Sequence, residues 1–348
     1  MQQTMGSING EDLTSKERLQ LILQNSNELL PADILNHLIE HNWDQIPIPG
    51  SGQTLERWRR LAEVASSDLS LAKLYEGHTD ALAILAELKA QSIASVGDSW
   101  AVWCAEPPDA RVVVTSDFAH SHVQISGLKP WCSGAHAVDK ALVSGWLADG
   151  QRCLVAVSMD QPSISIDTSQ WNAVGMADSA SARVSFKDSY ATVVGLPGEY
   201  LNRPGFIHGG AGVAACWFGA AASIAFHLHE MAAAGSQAPY RLAHLGAVDV
   251  ALSSAASLLR EAAAQIDRTP QDSCLLEVSR ARLAVEEAVE EVMQRIPRAI
   301  GPGPLCMDKK LAKQIADLPV FVRQSHAEHD QAALGRLIIE KRNNPWIL

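Results

Sequence analysis

The sequence predicts an α+β protein with three domains: an N-terminal helical domain over residues 1–95, a middle antiparallel β-barrel or sandwich over residues 96–200, and a C-terminal four-helix bundle over residues 201–348. Two observations support this prediction. Hydrophobic residues recur at helical spacing near both ends of the chain, whereas in the middle they alternate with a period of two. Of the 348 residues, 47% are hydrophobic and 19% are charged, which excludes a disordered chain and provides apolar surface for more than one core.

Helical patterns define the N-terminal domain. A polar segment at Ser15–Arg18 opens a first helix, and Pro31 lies where the start of another helix tolerates a residue without an N–H group. The Pro- and Gly-containing stretch 47–52 is a loop between helices. Two helical faces follow, formed by Trp58, Leu61, Ala62 and Ala65 and by Ala81, Leu82, Leu85 and Leu88.

Short alternating segments separated by Gly, Pro, Asp and Ser indicate the β domain. No helical pattern intervenes between them, so we expect a small antiparallel barrel or sandwich. The predicted strands are Arg111–Thr115, His122–Ile125, Cys153–Ser158, Ser163–Asp167 and Ala182–Phe186.

Four long helical stripes predict the bundle. In one of them Val285 and Val289 belong to the apolar face, while Glu286 faces water. A Pro- and Gly-rich stretch at 297–304 is expected to break the last pair of helices sharply. The predicted helices are Gly209–Ala234, Arg241–Ile266, Cys274–Arg295 and Lys309–Arg342.

Composition argues against several classes of function. Lys and Arg number 28 and Asp and Glu 39, so the formal net charge of −11 weighs against a nucleic-acid partner. Six cysteines occur without the spacing of a zinc site or a disulfide framework, and we expect no metal. The uncharged run Ala211–Phe226 is shorter than the roughly 20 apolar residues of a membrane span, and Met1–Ser15 lacks the apolar core of a secretory signal. We therefore expect a cytoplasmic protein with no membrane span.

Two motifs in the β domain carry a resemblance to a known family. Residues 101–107 read Ala-Val-Trp-Cys-Ala-Glu-Pro, and residues 127–135 read Gly-Leu-Lys-Pro-Trp-Cys-Ser-Gly-Ala. They resemble the two β-domain signatures of the acyl-CoA dehydrogenase family, an aromatic-rich strand ending in Thr-Glu-Pro-Gly and the pattern Gly-x-Lys-x-Trp-Ile-Thr-Asn-Gly. Residues 69–73 and 175–176 resemble further family positions in the right order. The resemblance covers nearly the whole chain and implies the family's fold, a bound FAD, and assembly as a homodimer or homotetramer.

The second motif also has the chemistry of a flavin site. A flavin needs a flat apolar wall and hydrogen bonds at its edge. Trp131 supplies such a wall, and Ser133, two residues further along a strand, supplies a hydroxyl on the same side. The alternative is that Trp131 belongs to the barrel core. The resemblance implies backbone contacts from both motifs, although Ala105 replaces the usual Thr and its hydroxyl contact is lost. The implied flavin-binding residues are Trp103, Cys104, Ala105, Trp131, Cys132 and Ser133.

A glycine loop extends the implied cofactor site. Gly301 and Gly303 occupy the place of the family's Gly-Gly-x-Gly loop, where glycines let the backbone approach the cofactor's diphosphate closely. The alternative is a plain turn between helices. The Arg-x-x-Phe-Gly segment, which in the family contacts a neighbour's flavin diphosphate, is missing from this chain.

The family's catalytic glutamate is missing from both of its known positions, which fall at Ser325 and near Gly210 in this sequence. His326 is the first candidate to replace it, because an imidazole titrates near neutral pH, and Glu328 is the second. The alternative is that this segment is the polar start of the last helix. Glu106 is expected to be a turn residue.

These features predict a FAD-dependent oxidoreductase that oxidises the α and β carbons of an acyl thioester, bound to CoA or to a carrier, with a non-standard base. The alternative is a flavin-dependent monooxygenase or oxidase on the same scaffold, since such relatives also lack the glutamate and some use a C-terminal histidine. A degenerate, non-catalytic member of the family is a third possibility. The substrate is a small molecule whose identity the sequence leaves open.

Overall fold

The computed structural model describes residues 19, 21–23, 29–115, 121–341, 343, 344 and 346, so the predicted helix start at Ser15–Arg18 lies outside the described residues. The first complete elements are helices. Asp68 alone separates the second from the third, because its extended backbone ends one helix and its carboxylate caps the next by accepting a hydrogen bond from Leu71 N at 2.8 Å. The three helices are α1 (Pro31–Glu40), α2 (Thr54–Ser67) and α3 (Leu69–Glu87).

Seven strands in the described part of the chain form one sheet that closes on itself. The strands are β1 (Trp100–Trp103), β2 (Val112–Val114), β3 (His122–Cys132), β4 (Lys140–Trp146), β5 (Arg152–Ser158), β6 (Ile164–Asp167) and β7 (Ala182–Val194). β2 pairs with β3, β3 with β7, β7 with β5 and β5 with β4, all antiparallel as predicted, and β4 meets β2 again to complete the ring. The predicted strands did not include β4, and its parallel pairings with β1 and β2 depart from the predicted antiparallel barrel. Inward-facing side chains such as Val143, Val155 and Val184 fill the barrel.

Helices follow the barrel: α4 (Glu199–Asn202), α5 (Pro204–Ala233), α6 (Pro239–Arg268), α7 (Leu275–Ile300), α8 (Pro302–Met307), α9 (Lys309–Phe321) and α10 (Glu328–Ile339). α5 packs against α2 and α7. Its small residues allow a close approach, since a side-chain carbon on Gly219 would lie 2.1 Å from Ala62 O. The long helices and the sheet agree with the predicted α+β class.

Two predicted helix boundaries are wrong. α7 continues through Pro297 to Ile300, because Pro297 lies in the last turn, where its missing N–H removes only one helical hydrogen bond. The chain turns instead at Gly301, whose φ of 75° favours glycine. The predicted helix over Lys309–Arg342 is two helices, since the backbone leaves the helical region before α10, with Ala327 at φ 46° and ψ −118°.

Helices α5 and α6 are long and apolar enough to cross a membrane, judged by length and composition alone. In α5, 67% of the most apolar window is buried inside the protein, as we expect of a core helix. In α6 the buried share is only 17%. α6 therefore leaves an apolar surface uncovered, on which Leu242 and Val250 are 42% and 65% exposed.

Candidate active site

A cavity of about 430 Å³ lies where α3, β1, the start of α5 and the helices α7 and α10 meet. It brings together residues from the N-terminal helices, the barrel and the bundle. Its lining includes Lys73, Glu76, Asp80, Val102, Tyr200, Arg203, Phe206, Gly209, Gly210, Val278, Arg282, His326 and Asp330.

One expected position of the missing glutamate and the first predicted base line this cavity, whereas Ser325, the other expected position, is buried and donates a hydrogen bond to Glu286. Gly210 lines it from α5, and His326 lines it from the segment before α10. The His326 side chain is 77% exposed, and its Nδ1 lies 3.6 Å from Asp330 Oδ1, so the imidazole stands at the solvent side next to a carboxylate. Glu328, the second predicted base, is exposed on α10 and is not part of the cavity lining.

Arg282 explains why the position on α5 holds a glycine. The guanidinium of Arg282 lies 5.2 Å from the centroid of the Trp217 ring and donates a hydrogen bond to Gly210 O. A side-chain carbon on Gly210 would lie 3.3 Å from Arg282 Nη1, so a longer side chain would have to displace the guanidinium. A cation thus lies beside the backbone of Gly210 at this point of the cavity.

Ion pairs neutralise two further cations of the cavity. Lys73 Nζ lies 2.8 Å from Glu76 Oε2, and Arg203 Nη1 lies 2.6 Å from Glu87 Oε2. Burial acts to lower the pKa of Lys73, but the charge of Glu76 and its hydrogen bond raise that pKa overall. Lys73 is therefore a paired cation at neutral pH.

Asp80 is a cavity residue that sequence reasoning missed. Among the described residues, no donor or cation lies within hydrogen-bonding or ion-pairing distance of its carboxylate. Burial raises the pKa of Asp80, with Arg203 opposing the shift and Glu76 adding to it. The sequence held one sign of this site, because the spacing of Lys73, Glu76 and Asp80 places all three on one face of the mostly apolar helix α3.

A second cavity of about 130 Å³ lies on the other side of Tyr200 and Phe206, which line both cavities. Cys104, one of the predicted flavin-binding residues, lines this smaller space together with Ser144. Burial raises the pKa of the Cys104 thiol, which disfavours the nucleophilic thiolate form.

Glu106 is not the turn residue that the sequence analysis expected. Its side chain is 9% exposed, and its Oε1 lies 3.5 Å from Lys129 Nζ. The same oxygen accepts a hydrogen bond of 2.7 Å from Ser144 Oγ, while Oε2 lies 3.1 Å from Arg152 Nε. The prediction failed because sequence spacing does not show that Glu106, just after β1, lies next to residues of β3 and β4. Glu106 is the anionic centre of a buried polar cluster.

Of the two tryptophans predicted to contact a flavin, Trp131 is exposed and Trp103 is buried. Trp131 is 59% exposed at the end of β3, with φ at 56°, whereas Trp103 is 3% exposed and donates its indole N–H to Ser133 O at 3.1 Å. The Ser133 hydroxyl lies 3.0 Å from Ser181 Oγ. Cys132 is fully buried, and burial raises its pKa strongly. Trp131 therefore exposes an indole face, while the nearby Ser133 hydroxyl is already hydrogen-bonded to Ser181.

The predicted glycine loop is open to approach from outside. A side-chain carbon at Gly301 or Gly303 would meet nothing within 4 Å. Ala105, the remaining predicted contact, is exposed after β1. These positions are therefore accessible, but neither glycine lines the 430 Å³ cavity.

Comparison with solved structures identifies the fold. Dibenzothiophene monooxygenase TdsC from Paenibacillus sp. A11-2 superposes with a TM-score of 0.80 at 17% identity, covering 94% of this chain and 97% of that one. Methanesulfinate monooxygenase MsuC from Pseudomonas fluorescens gives 0.80 at 17% identity, covering 96% and 98%. Butyryl-CoA dehydrogenase from Megasphaera elsdenii gives 0.78 at 13% identity, covering 94% and 99%. The chain has the acyl-CoA dehydrogenase-like fold, as the sequence resemblance implied.

No family model matches this sequence, and no curated protein does. The structural comparison therefore assigns the fold alone, and the fold does not determine which reaction the residues of this chain support.

Proposed function

We propose that this protein is a flavin-dependent monooxygenase that acts on a small polar molecule. The observation that carries the proposal is the charged lining of the 430 Å³ cavity, to which Lys73, Asp80, Arg203 and Arg282 contribute. These charged groups would lose hydration without gaining partners if the ligand were wholly apolar, while apolar lining residues such as Val213 and Leu283 can pack against its carbon atoms. A polar substrate would satisfy them instead.

The described residues fit a flavin. The Trp131 ring offers an exposed flat apolar face, and Ser133 offers a hydroxyl two residues further on. The exposed backbone at Ala105 and the open backbone at Gly301 and Gly303 would add contacts. A bound flavin would supply the redox chemistry, and the protein would supply orientation and electrostatics.

We propose FMN rather than the FAD that the resemblance implies. The chain lacks the segment that contacts a neighbour's flavin diphosphate in the family. Two structural neighbours carry FMN in the solved state, TdsC with FMN and indole, and KijD3 with FMN and an amino-sugar nucleotide. The mass of the flavin released from the protein distinguishes the two cofactors.

An acyl-thioester dehydrogenase is the second candidate. It is supported by His326, the first predicted base, which lines the cavity and directly follows one of the family's two base positions in the sequence. Against it stand the missing glutamate and the guanidinium of Arg282 beside Gly210. Anaerobic bleaching of the flavin by an acyl-CoA would favour this candidate, because a dehydrogenase transfers hydride from substrate to flavin without oxygen.

We infer assembly as a homodimer or homotetramer. The uncovered apolar surface of α6 is the supporting feature, since single soluble chains rarely leave such a surface open. In this assembly a second copy covers α6, and we propose a cytoplasmic location for the assembled protein.

Flavin binding through Trp131 tests the proposal. Apoprotein titrated with FMN should quench tryptophan fluorescence and produce bound-flavin absorbance. Trp131→Ala should weaken FMN binding at least ~10-fold, because stacking is lost. Trp346→Ala, which changes a 78% exposed tryptophan near the C-terminus, is the matched control and should bind FMN like the original protein. A protein that binds neither FMN nor FAD would refute the proposal.

A further inference from the structure

The cavity contains a carboxylate whose counter-ion is missing among the described residues. Of its three carboxylates, Glu76 is paired with Lys73 at 2.8 Å, and Asp330 accepts a hydrogen bond of 3.1 Å from His326 N. Asp80 has no such partner. Asp80 is half-buried in the cavity wall, where hydration is reduced, so the site would gain from a ligand that supplies a cation or a donor.

The space in front of Asp80 is kept open by a glycine on the facing helix. A side-chain carbon on Gly209 would lie 3.1 Å from Asp80 Oδ1. A methyl group there would be too close to the carboxylate to leave room for a ligand atom. The backbone of α5 thus allows a small group to reach Asp80.

The charges around Asp80 come from several elements. Glu76 and Lys73 lie on the same helix, Arg57 on α2, and Arg203 at the start of α5. Lys73 and Arg203 are held by other carboxylates, and burial together with Glu76 outweighs the cations, so the pKa of Asp80 is raised. Such a carboxyl accepts and returns a proton more readily near neutral pH than an exposed aspartate.

We propose that Asp80 binds the ammonium group of an amine substrate and takes its proton, as the acid–base residue of this cavity. The proposal rests on the proposed function and gives it a substrate class. In the step, R–NH₃⁺ transfers one proton to the Asp80 carboxylate, which leaves R–NH₂ and a neutral carboxylic acid, and no electrons are exchanged. The product is the form that can be oxidised at nitrogen, because only neutral nitrogen has a free lone pair.

This role replaces the family glutamate from a third element. Gly210, at one expected position, and His326, the first predicted base, line the same cavity without a carboxylate. Asp80 on α3 supplies one to that cavity. The cavity thus has an acid–base group, which is the Asp80 carboxylate that binds the amine.

Calorimetry of the purified protein at neutral pH tests whether the cavity binds an ammonium group. The probe is propylammonium chloride. Sodium propionate and 1-propanol are the anionic and the neutral ligands of matching size. We expect propylammonium to bind and the other two to bind at least ~10-fold more weakly. Asp80→Asn, which keeps the shape of the side chain, should weaken propylammonium binding at least ~10-fold. Equal binding by Asp80→Asn, or no binding of propylammonium by the original protein, would overturn the proposal.

Gly209→Ala is a second variant that leaves the charge of Asp80 in place. The added methyl group should obstruct the carboxylate and weaken propylammonium binding, while Gly335→Ala, in open space on α10, should not. Unchanged binding by Gly209→Ala would contradict the geometry. These measurements need no flavin, so failure of the amine site and failure of FMN binding are read separately.

Turnover measurements test whether Asp80 takes the proton of the bound amine. In the protein loaded with reduced FMN, amine-dependent oxygen consumption should fall ~100-fold in Asp80→Asn at neutral pH and recover in part when the pH is raised, because free amine then arises without a base. A loss of turnover that no pH restores, with normal propylammonium binding, would assign Asp80 a role other than proton transfer.

Discussion

Lys129 and Glu106 form an ion pair inside the protein, with Lys129 Nζ 3.5 Å from Glu106 Oε1. The pair joins the two sequence motifs of the barrel, and Ser144 bridges it, since Lys129 Nζ donates to Ser144 Oγ at 2.8 Å and Ser144 donates to Glu106. Lys129 is fully buried, and burial lowers its pKa. The charged residues of both motifs therefore belong to one polar cluster of the barrel, and Glu106 and Ser144 also line the 130 Å³ cavity.

The first prediction concerns this ion pair. Lys129→Met should lower the free energy of unfolding by about 3 kcal/mol, because it leaves Glu106 buried with less compensation. Urea unfolding followed by circular dichroism measures the loss. The double variant Lys129→Met/Glu106→Gln should be more stable than the single variant, since the unpaired charge is gone. If the single variant unfolds at the same urea concentration as the original protein, the pair contributes nothing.

Hydrophobic periodicity was sufficient to predict the α+β class and the places of most helices and strands, because burial of an apolar face depends on local spacing. It did not predict the break before α10, where Ala327 adopts a positive φ that alanine rarely favours. The segment before it is held by α7, where Glu286 accepts hydrogen bonds from Arg323 and Ser325, and such contacts are not visible in a local pattern.

The candidate site was predictable in part for a similar reason. Motif spacing led to His326 and Gly210, and the structure brings both to one cavity. It did not lead to Asp80, since the family pattern has no acid–base residue there, nor to the burial of Glu106. Both depend on segments far apart in sequence that the fold brings together.

The second prediction tests the close contact of α5 and α2. Gly219→Ala should destabilise the protein by about 1–3 kcal/mol, because the added carbon would lie 2.1 Å from Ala62 O and must push the helices apart. Gly335→Ala is a matched helical control with open space at the site, and it should be neutral or stabilising by up to about 1 kcal/mol. Thermal unfolding of both variants gives the comparison, and equal effects would contradict the contact.

The third prediction tests the exposed face of α6. Val250→Glu should shift the protein toward a smaller species in size-exclusion chromatography with light scattering, because a buried charge at an interface is unfavourable. Val174→Glu is the control, since Val174 is 87% exposed in a loop and Val250 is 65% exposed on the helix. An unchanged mass for Val250→Glu would exclude this face as the interface.

The fourth prediction links Asp80 to stability. The pKa of Asp80 is raised above its ordinary 3.8 by burial, so between the ordinary and the raised value the folded chain binds more protons than the unfolded chain. Stability therefore falls as pH rises through this window, and above it the ionised carboxylate carries its full cost. Asp80→Asn should raise Tm by roughly 2–4 °C at pH 8, and the gain should vanish as the pH falls to the ordinary value.

Asp149→Asn is the opposing control for this measurement. Asp149 is fully exposed, and hydrogen bonds from Gln151 lower its pKa, so its ionised form favours the folded state and the variant should show no gain at pH 8. A scan of Tm against pH for both variants separates the two signs. If Asp80→Asn is no more stable than the original protein at any pH, Asp80 is not the uncompensated carboxylate that the amine site requires. A gain at high pH combined with lost propylammonium binding would mean that the folded state gives up stability to keep this carboxylate available for its ligand.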